Sequence, residues 1–263
     1  MLGKRAQACH NERVSDMSVT VVFSSAPRDG ATMCAVSLAQ AKASCGARTL
    51  LIYASGKRGS YYAGSSFLRS VDDIKANIIS GELRGDDVKE VTERAGDIDV
   101  IPAVRDSFGA SGFPVDTIGK ITSLCESYEE IVVDAGSDFS RAMSVSALNA
   151  GDDIIFVVTQ EPHSTDSFNE IKRRVLTPLG IEVSVIINMF RRDPALFTKN
   201  EVARLTGTGI LSVLPYSELG MYAELSGKSL MADRTFRKAV GGIAQVDGVQ
   251  PRGIFRFAKD RRG

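Results

Sequence analysis

The sequence predicts an α/β domain, a doubly wound and mostly parallel sheet with helices on both faces. Three features predict it. Seven short runs rich in β-branched residues recur along the 263 residues, helical stretches lie between most of them, and the runs are continuously apolar rather than alternating. Continuous hydrophobicity is the mark of strands covered on both faces, as in a sheet wrapped by crossover helices.

Taken in order, "VTVVF" (19–23) is the first strand and passes through "SSAPRDGATM" (24–33) into the helical "TMCAVSLAQAKAS" (32–44). "TLLIYA" (49–54) is the second strand, "SFLRS" (66–70) a helical stretch running into a loop, and "SVDDIKANIISG" (70–81) a helix. Then come "IDVIPA" (98–103), the helical "TIGKITSLCESY" (117–128), "EEIVVDAG" (129–136) and "DIIFVVTQ" (153–160). The helix "SFNEIKRRVL" (167–176), strand "VSVIINMF" (183–190), helix "KNEVARLTG" (199–207) and strand "GILSVLP" (209–215) complete the series. One domain over 18–245 is the economical division, with a tail at 1–17 and a linker plus short basic segment at 246–263.

Composition excludes several classes. With 43% hydrophobic residues a sizeable core can form, and with Lys+Arg and Asp+Glu equal at 32 each, bulk charge points to no specific nucleic-acid partner. The four cysteines, Cys9, Cys34, Cys45 and Cys125, have neither disulfide-frame nor zinc-site spacing and read as reduced thiols. A polar N-terminal segment and the lack of any long apolar run favour a cytoplasmic location. His10 and His163 stand apart from any second ligand and read as surface residues.

The stretch 24–33 has the frame of a phosphate-binding loop, GxxxxGK[ST], whose backbone N–H groups cradle phosphates while a lysine offsets their charge and a hydroxyl holds Mg²⁺. Ser25 stands at the first glycine, Gly30 at the second and Thr32 at the hydroxyl, but Ala31 takes the lysine position. On these residues alone a plain strand–turn–helix connection fits equally well.

Downstream segments extend the match. "GARTLLIYAS", "YEEIVVDAG", the stretch "ALNAGDDIIFVVTQEPHSTDSFNEIKRRV", "VSVIINMF" and "GILSVLPYSELGMYAELSGKSL" follow one another in the order and spacing of the ParA/MinD family of deviant Walker ATPases, and the chain resembles that family from about Val19 to Ala244. The resemblance implies a P-loop fold, a homodimer, and a site for ATP with Mg. Ser25, Gly30, Thr32, Asn188 and Pro215 would meet nucleotide, with Arg28 as a candidate displaced cation or simply a solvated loop arginine. Thr32 and Asp134 would hold the metal.

Four departures bear on chemistry. Ala26 replaces the family's signature lysine, Ala31 its second lysine, and Tyr53 the aspartate that ends its second strand; Pro27 removes an N–H donor while Asp29 adds a negative charge. Each such charge, at about 4 Å and an effective dielectric near 20, is worth on the order of 4 kcal/mol against a phosphate. Weak or absent ATP binding and no hydrolysis are therefore expected. Lost lysines also mark the TadZ/CpaE branch, which the chain resembles further in "VVDAGSDFSRAMSVSAL" and "TQEPHSTDSF", although it lacks the receiver-like segment many of those proteins carry ahead of the first strand. That likeness implies secretion or pilus assembly proteins as partners; septum and flagellar regulators of the same family are the competing class. In 254–262, Ile254, Phe257 and Ala258 share a helical face with basic residues around it, which leaves three fates open: contact with the inner face of a membrane, docking on a partner, or packing on the domain.

Overall fold

The structure is a computed structural model, and it describes residues 17–56, 67–106, 108–226 and 229–246. Eight strands form one sheet in the order β3-β4-β2-β5-β1-β6-β7-β8. In chain order they are β1 (Ser18–Ser24), β2 (Thr49–Tyr53), β3 (Glu93–Ala95), β4 (Ile98–Ile101), β5 (Glu130–Gly136), β6 (Asp153–Val158), β7 (Ser184–Phe190) and β8 (Ile210–Pro215). All pairings are parallel except β3 with β4. The doubly wound, mostly parallel sheet read from the sequence is thus the fold.

The helices are α1 (Ala31–Ser44), α2 (Lys75–Ser80), α3 (Gly85–Val91), α4 (Thr117–Thr122), α5 (Ala142–Ala150), α6 (Pro162–Ile171), α7 (Thr177–Leu179), α8 (Lys199–Thr206), α9 (Leu219–Ser226) and α10 (Arg234–Val246). Continuous apolarity in the strands resolves into two cores by alternation. Val19, Val21 and Phe23 of β1 join Ile131, Val133 and Ala135 of β5 on the face covered by α2 to α6 and α8. Val22 and Val132 point the other way, into the core under α1, α9 and α10.

On the first face, four aromatic rings stack in a row. Phe23 lies 4.4 Å from Phe139 and 5.6 Å from Phe156, and Phe156 meets Phe168 edge-on at 5.5 Å, centroid to centroid. These offset and edge contacts join β1, β6, α6 and the loop after β5. On the other side of the sheet, buried Lys42 of α1 donates to Glu130 at 2.8 Å, tying that helix to the start of β5.

Several elements differ from expectation. Phe67–Ser70 is not helical; Ser70 instead caps the turn Val71–Ile74 by accepting from Asp72 N, and α2 continues from that turn. Residue 66 lies outside the described residues. α4 stops at Thr122 rather than running to 128, and α6 begins at Pro162, five residues ahead of the predicted start, because proline at the first helical position fixes φ where no N–H bond is needed. The hairpin strand β3 and helices α3, α5, α9 and α10 have no counterpart in the sequence reading. α10 carries the described chain through Val246. Cys34, Cys45 and Cys125 are free thiols; Cys9 and the segment 254–262 lie outside the described residues.

Phe156 is fully buried and touches three other rings. Phe156→Ala should lower the free energy of unfolding by about 3–5 kcal/mol, the usual cost of emptying an aromatic core position. Urea denaturation measures it, and a loss below about 1 kcal/mol would mean that the stack collapses to fill the space.

Candidate functional site

The loop after β1 is built from a tight turn and a helix start. Ser24 Oγ donates to the Ala26 carbonyl at 3.0 Å, and Asp29 N donates back to that carbonyl at 3.4 Å. Between them, Pro27 and Arg28 occupy the middle of a turn in which Arg28 takes φ 75, the pattern of a type II turn with a positive φ at its third residue. An arginine in that region costs about 1 kcal/mol relative to glycine. Gly30 follows at φ 93, and a Cβ there would lie 2.4 Å from Asn188 Nδ2, so only glycine permits both the turn and the approach of the amide. α1 then starts at Ala31 with no side-chain cap and no acidic residue in its first turn.

Asp29 lies under this turn. Its carboxylate is 2% exposed, and one oxygen, Oδ2, accepts from Ser25 Oγ (2.8 Å), Ser164 Oγ (2.8 Å) and Ala26 N (3.0 Å). Ser164 Oγ in turn accepts from Thr159 N at 2.9 Å, so the network runs from the loop to the end of β6 and the first turn of α6. Burial raises the Asp29 pKa above its ordinary value; the Ser25 and Ser164 hydroxyls, the Ala26 N–H and the charge of His163 oppose that rise. The sequence reading has Asp29 adding charge beside a phosphate. Its bonds instead hold the carboxylate inward, against α6.

The remaining site residues divide by position. Thr32 Oγ1 donates to Asp134 Oδ2 at 2.7 Å, and Gly136 N donates to Asp134 Oδ1 at 3.1 Å, so the hydroxyl and carboxylate read from the sequence stand together. Tyr53 pairs with Asp134 across β2 and β5 and is buried in the core, and therefore supplies no carboxylate at the strand end. Asn188 joins the loop by donating from Nδ2 to the Asp29 carbonyl at 2.8 Å, while its buried Oδ1 has no hydrogen-bond partner among the described residues. Ser25 is occupied by Asp29. Arg28 is exposed at the tip of the turn, and Pro215 ends β8 opposite Phe190, three strands along the sheet from β1.

Sequence reasoning missed Ser164 and Gln160. Buried Gln160 donates to the carbonyls of Arg191 (3.0 Å) and Phe197 (2.7 Å) and accepts from Arg191 N (2.7 Å), fixing the chain as it leaves β7. The available signal was a charged residue inside the loop frame, which has to find its partners elsewhere if it is buried. His163 is exposed and 3.2 Å from Glu161.

No family model and no curated protein matches the chain. Solved structures do. The septum site-determining protein MinD from Pyrococcus horikoshii, complexed with Mg-ADP, superposes with a TM-score of 0.75 at 16% identity over 88% of this chain and 96% of its own. A ParA family ATPase from Chlorobium tepidum gives 0.74 at 20% identity over 88% and 98%. A single-residue variant of McdA from Cyanothece, solved as its ATP complex, gives 0.68 at 16% over 90% and 98%. The chain has the P-loop fold of the MinD and ParA ATPases over nearly the whole length of those proteins.

Thr32 and Asp134 are hard oxygen donors of the kind a Mg ion takes. A triphosphate fits less well, because Ala26 and Ala31 are both buried alanines and the loop arginine faces outward. Among the described residues no group of three His, Cys, Asp or Glu side chains could hold a metal. The loop of this P-loop fold thus has Thr32 and Asp134 in contact at the start of α1 and alanine at positions 26 and 31.

Because burial raises the Asp29 pKa, the folded chain holds this proton more tightly than the unfolded one between 3.8 and the folded value. Stability from this group is therefore present at low pH and falls as pH rises through that window. Measured against Asp29→Asn, the wild type should lose unfolding free energy over that rise and then hold a constant gap. A gap that moves in the wild type's favour with rising pH would show that the donors outweigh burial.

Proposed function

We propose that this chain is a MinD/ParA-family protein with a degenerate phosphate loop, acting as a homodimeric scaffold that localises or assembles a Tad/Flp pilus secretion apparatus, with ATP binding weak or absent. The observation that carries this reading is the pair of buried alanines at 26 and 31, each under 10% exposed, where a working loop presents lysines to phosphate. Strand, turn and helix geometry persist without those charges, so the chain keeps the shape that partners dock on while losing the interaction that would make docking nucleotide-dependent. The likeness to the TadZ/CpaE branch supports the pilus assignment. Partners are then pilus or secretion assembly proteins, with the loop edge as the dimer face and 254–262 as a candidate contact to the membrane surface. Among the described residues no helix is long and apolar enough to cross a membrane.

A second reading has its own support. The Thr32–Asp134 pair and the unpartnered Asn188 Oδ1 suit an ATP-dependent regulator of septum or flagellar placement, with Arg28 or a partner supplying charge.

Calorimetric titration with Mg-ATP and Mg-ADP, alongside light scattering, separates the two. The scaffold predicts a dimer already present and no binding at about 1 mM nucleotide, a free energy weaker than about −4 kcal/mol. Binding that converts monomer to dimer and is abolished by Asp134→Ala would overturn it in favour of the second reading. In the native host, deletion of the gene should abolish surface pili and leave septum and flagellar placement intact.

A further inference from the structure

The Asp29 network goes beyond the scaffold reading, since it concerns how the loop holds its form. We propose that Asp29, Ser25 and Ser164 form an internal latch that keeps the loop in its phosphate-shaped curve with no ligand bound and joins it mechanically to α6. Three facts converge on it. The turn carries strain at Arg28, whose φ of 75 persists only where the surroundings over-determine it. The residue after Arg28 is the one whose side chain is buried and held by three donors from three different places: the loop's own serine, a backbone N–H of the turn, and a serine 135 residues away on α6. The same residue is gripped from its other side, because its carbonyl accepts from Asn188 on β7.

Asp29 is therefore anchored at both ends, its side chain to α6 and its backbone to β7, with the strained arginine immediately before it. Ser164 completes the chain of bonds by accepting from Thr159 N at the exit of β6 and sitting 3.1 Å from Ser25 Oγ. Loop, β6 exit and α6 thus move as one unit. In this arrangement the Pro27–Arg28 tip is displayed in one orientation whatever the nucleotide state, and a displacement of α6 by a partner is transmitted to the loop.

Hydrogen–deuterium exchange of the full chain, without nucleotide, tests the latch on peptides covering 24–33 and 159–168. In the wild type the loop amides should exchange slowly. Asp29→Val, which removes every acceptor, should speed exchange in both peptides by about tenfold or more while the strands β5 and β7 keep wild-type protection. Asp29→Asn keeps an acceptor and should stay near wild type. Ser164→Ala, which leaves the loop sequence untouched, should loosen the loop peptide from a distance, and it serves as the independent variant should Asp29→Val fail to fold. Unchanged loop exchange in Ser164→Ala, acceleration spread equally through all strands, or wild-type protection that appears only on adding Mg-ATP would each overturn the proposal.

Discussion

Between β5 and β6, the strand Ser18–Ser24 is hydrogen-bonded along both edges, in register from Ser18 opposite Glu130 to Ser24 opposite Val157. This double pairing fixes where the backbone leaves the sheet. Everything at the candidate site follows from that exit. The neighbour on one side carries Asp134 near its end, which accepts from the Thr32 hydroxyl, and the neighbour on the other leads to Ser164, whose hydroxyl donates to the Asp29 carboxylate of the loop. The chain leaving β1 runs to β2 on one side and the chain leaving β6 runs to β7 on the other, the change of direction at which open α/β sheets usually bind ligands. The aromatic stack stiffens the same region from below, since Phe23 of β1 and Phe156 of β6 are both buried in it, with Phe139 bringing in the loop after β5.

Shape and charge separate cleanly in this loop. A turn of this kind is set by a proline's fixed φ, a positive φ at the next residue and a glycine before the helix, none of which needs a lysine. In the chain these demands are met by Pro27, Arg28 and Gly30, and the one that is met at a cost, Arg28, stands next to the buried carboxylate that holds the turn down. Charge is a different matter. A buried Asp29 raises rather than lowers the cost of ionisation at the loop, and its donors come from inside the protein. What the loop lacks is a lysine: positions 26 and 31 are alanine, and the Asp29 carboxylate is turned inward onto its three donors.

The strands were legible in the sequence for a physical reason: both faces are covered, so each run is apolar throughout and stands out against its neighbours. β3 escaped because it is a three-residue edge strand, Glu93–Ala95, with polar side chains and only β4 beside it. α5 reads "AMSVSALNA", where serines occupy buried positions and blur the apolar face, and Ser144 is satisfied by donating to the Ala135 carbonyl rather than by facing water. α10 lay inside the domain read from the sequence but was not recognised as a helix, because two glycines interrupt "RTFRKAVGGIAQV", although Phe236, Val240 and Ile243 recur at helical spacing and bury against α1 and β8. At the candidate site, Thr32 came from the spacing of the loop frame and Asp134 from the family resemblance, and the fold brings the two side chains into contact. The role of Asp29 was not legible, because its partner Ser164 lies 135 residues away and only the fold brings them together.

Two interactions at the loop bear on what the chain can do, and they pull in opposite directions. The Thr32 hydroxyl and the Asp134 carboxylate satisfy each other, whereas Asn188 keeps a buried oxygen with no partner among the described residues, which costs about 1–3 kcal/mol unless something donates to it. Asp29, by contrast, is satisfied within the protein, where three donors hold its carboxylate under the turn. The Asn188 amide stands against Gly30 from β7, while the Asp29 carboxylate takes its donors from the chain itself. The curve of the turn is therefore supported by bonds within the chain, and the Asn188 oxygen is the acceptor beside it that these bonds leave open among the described residues.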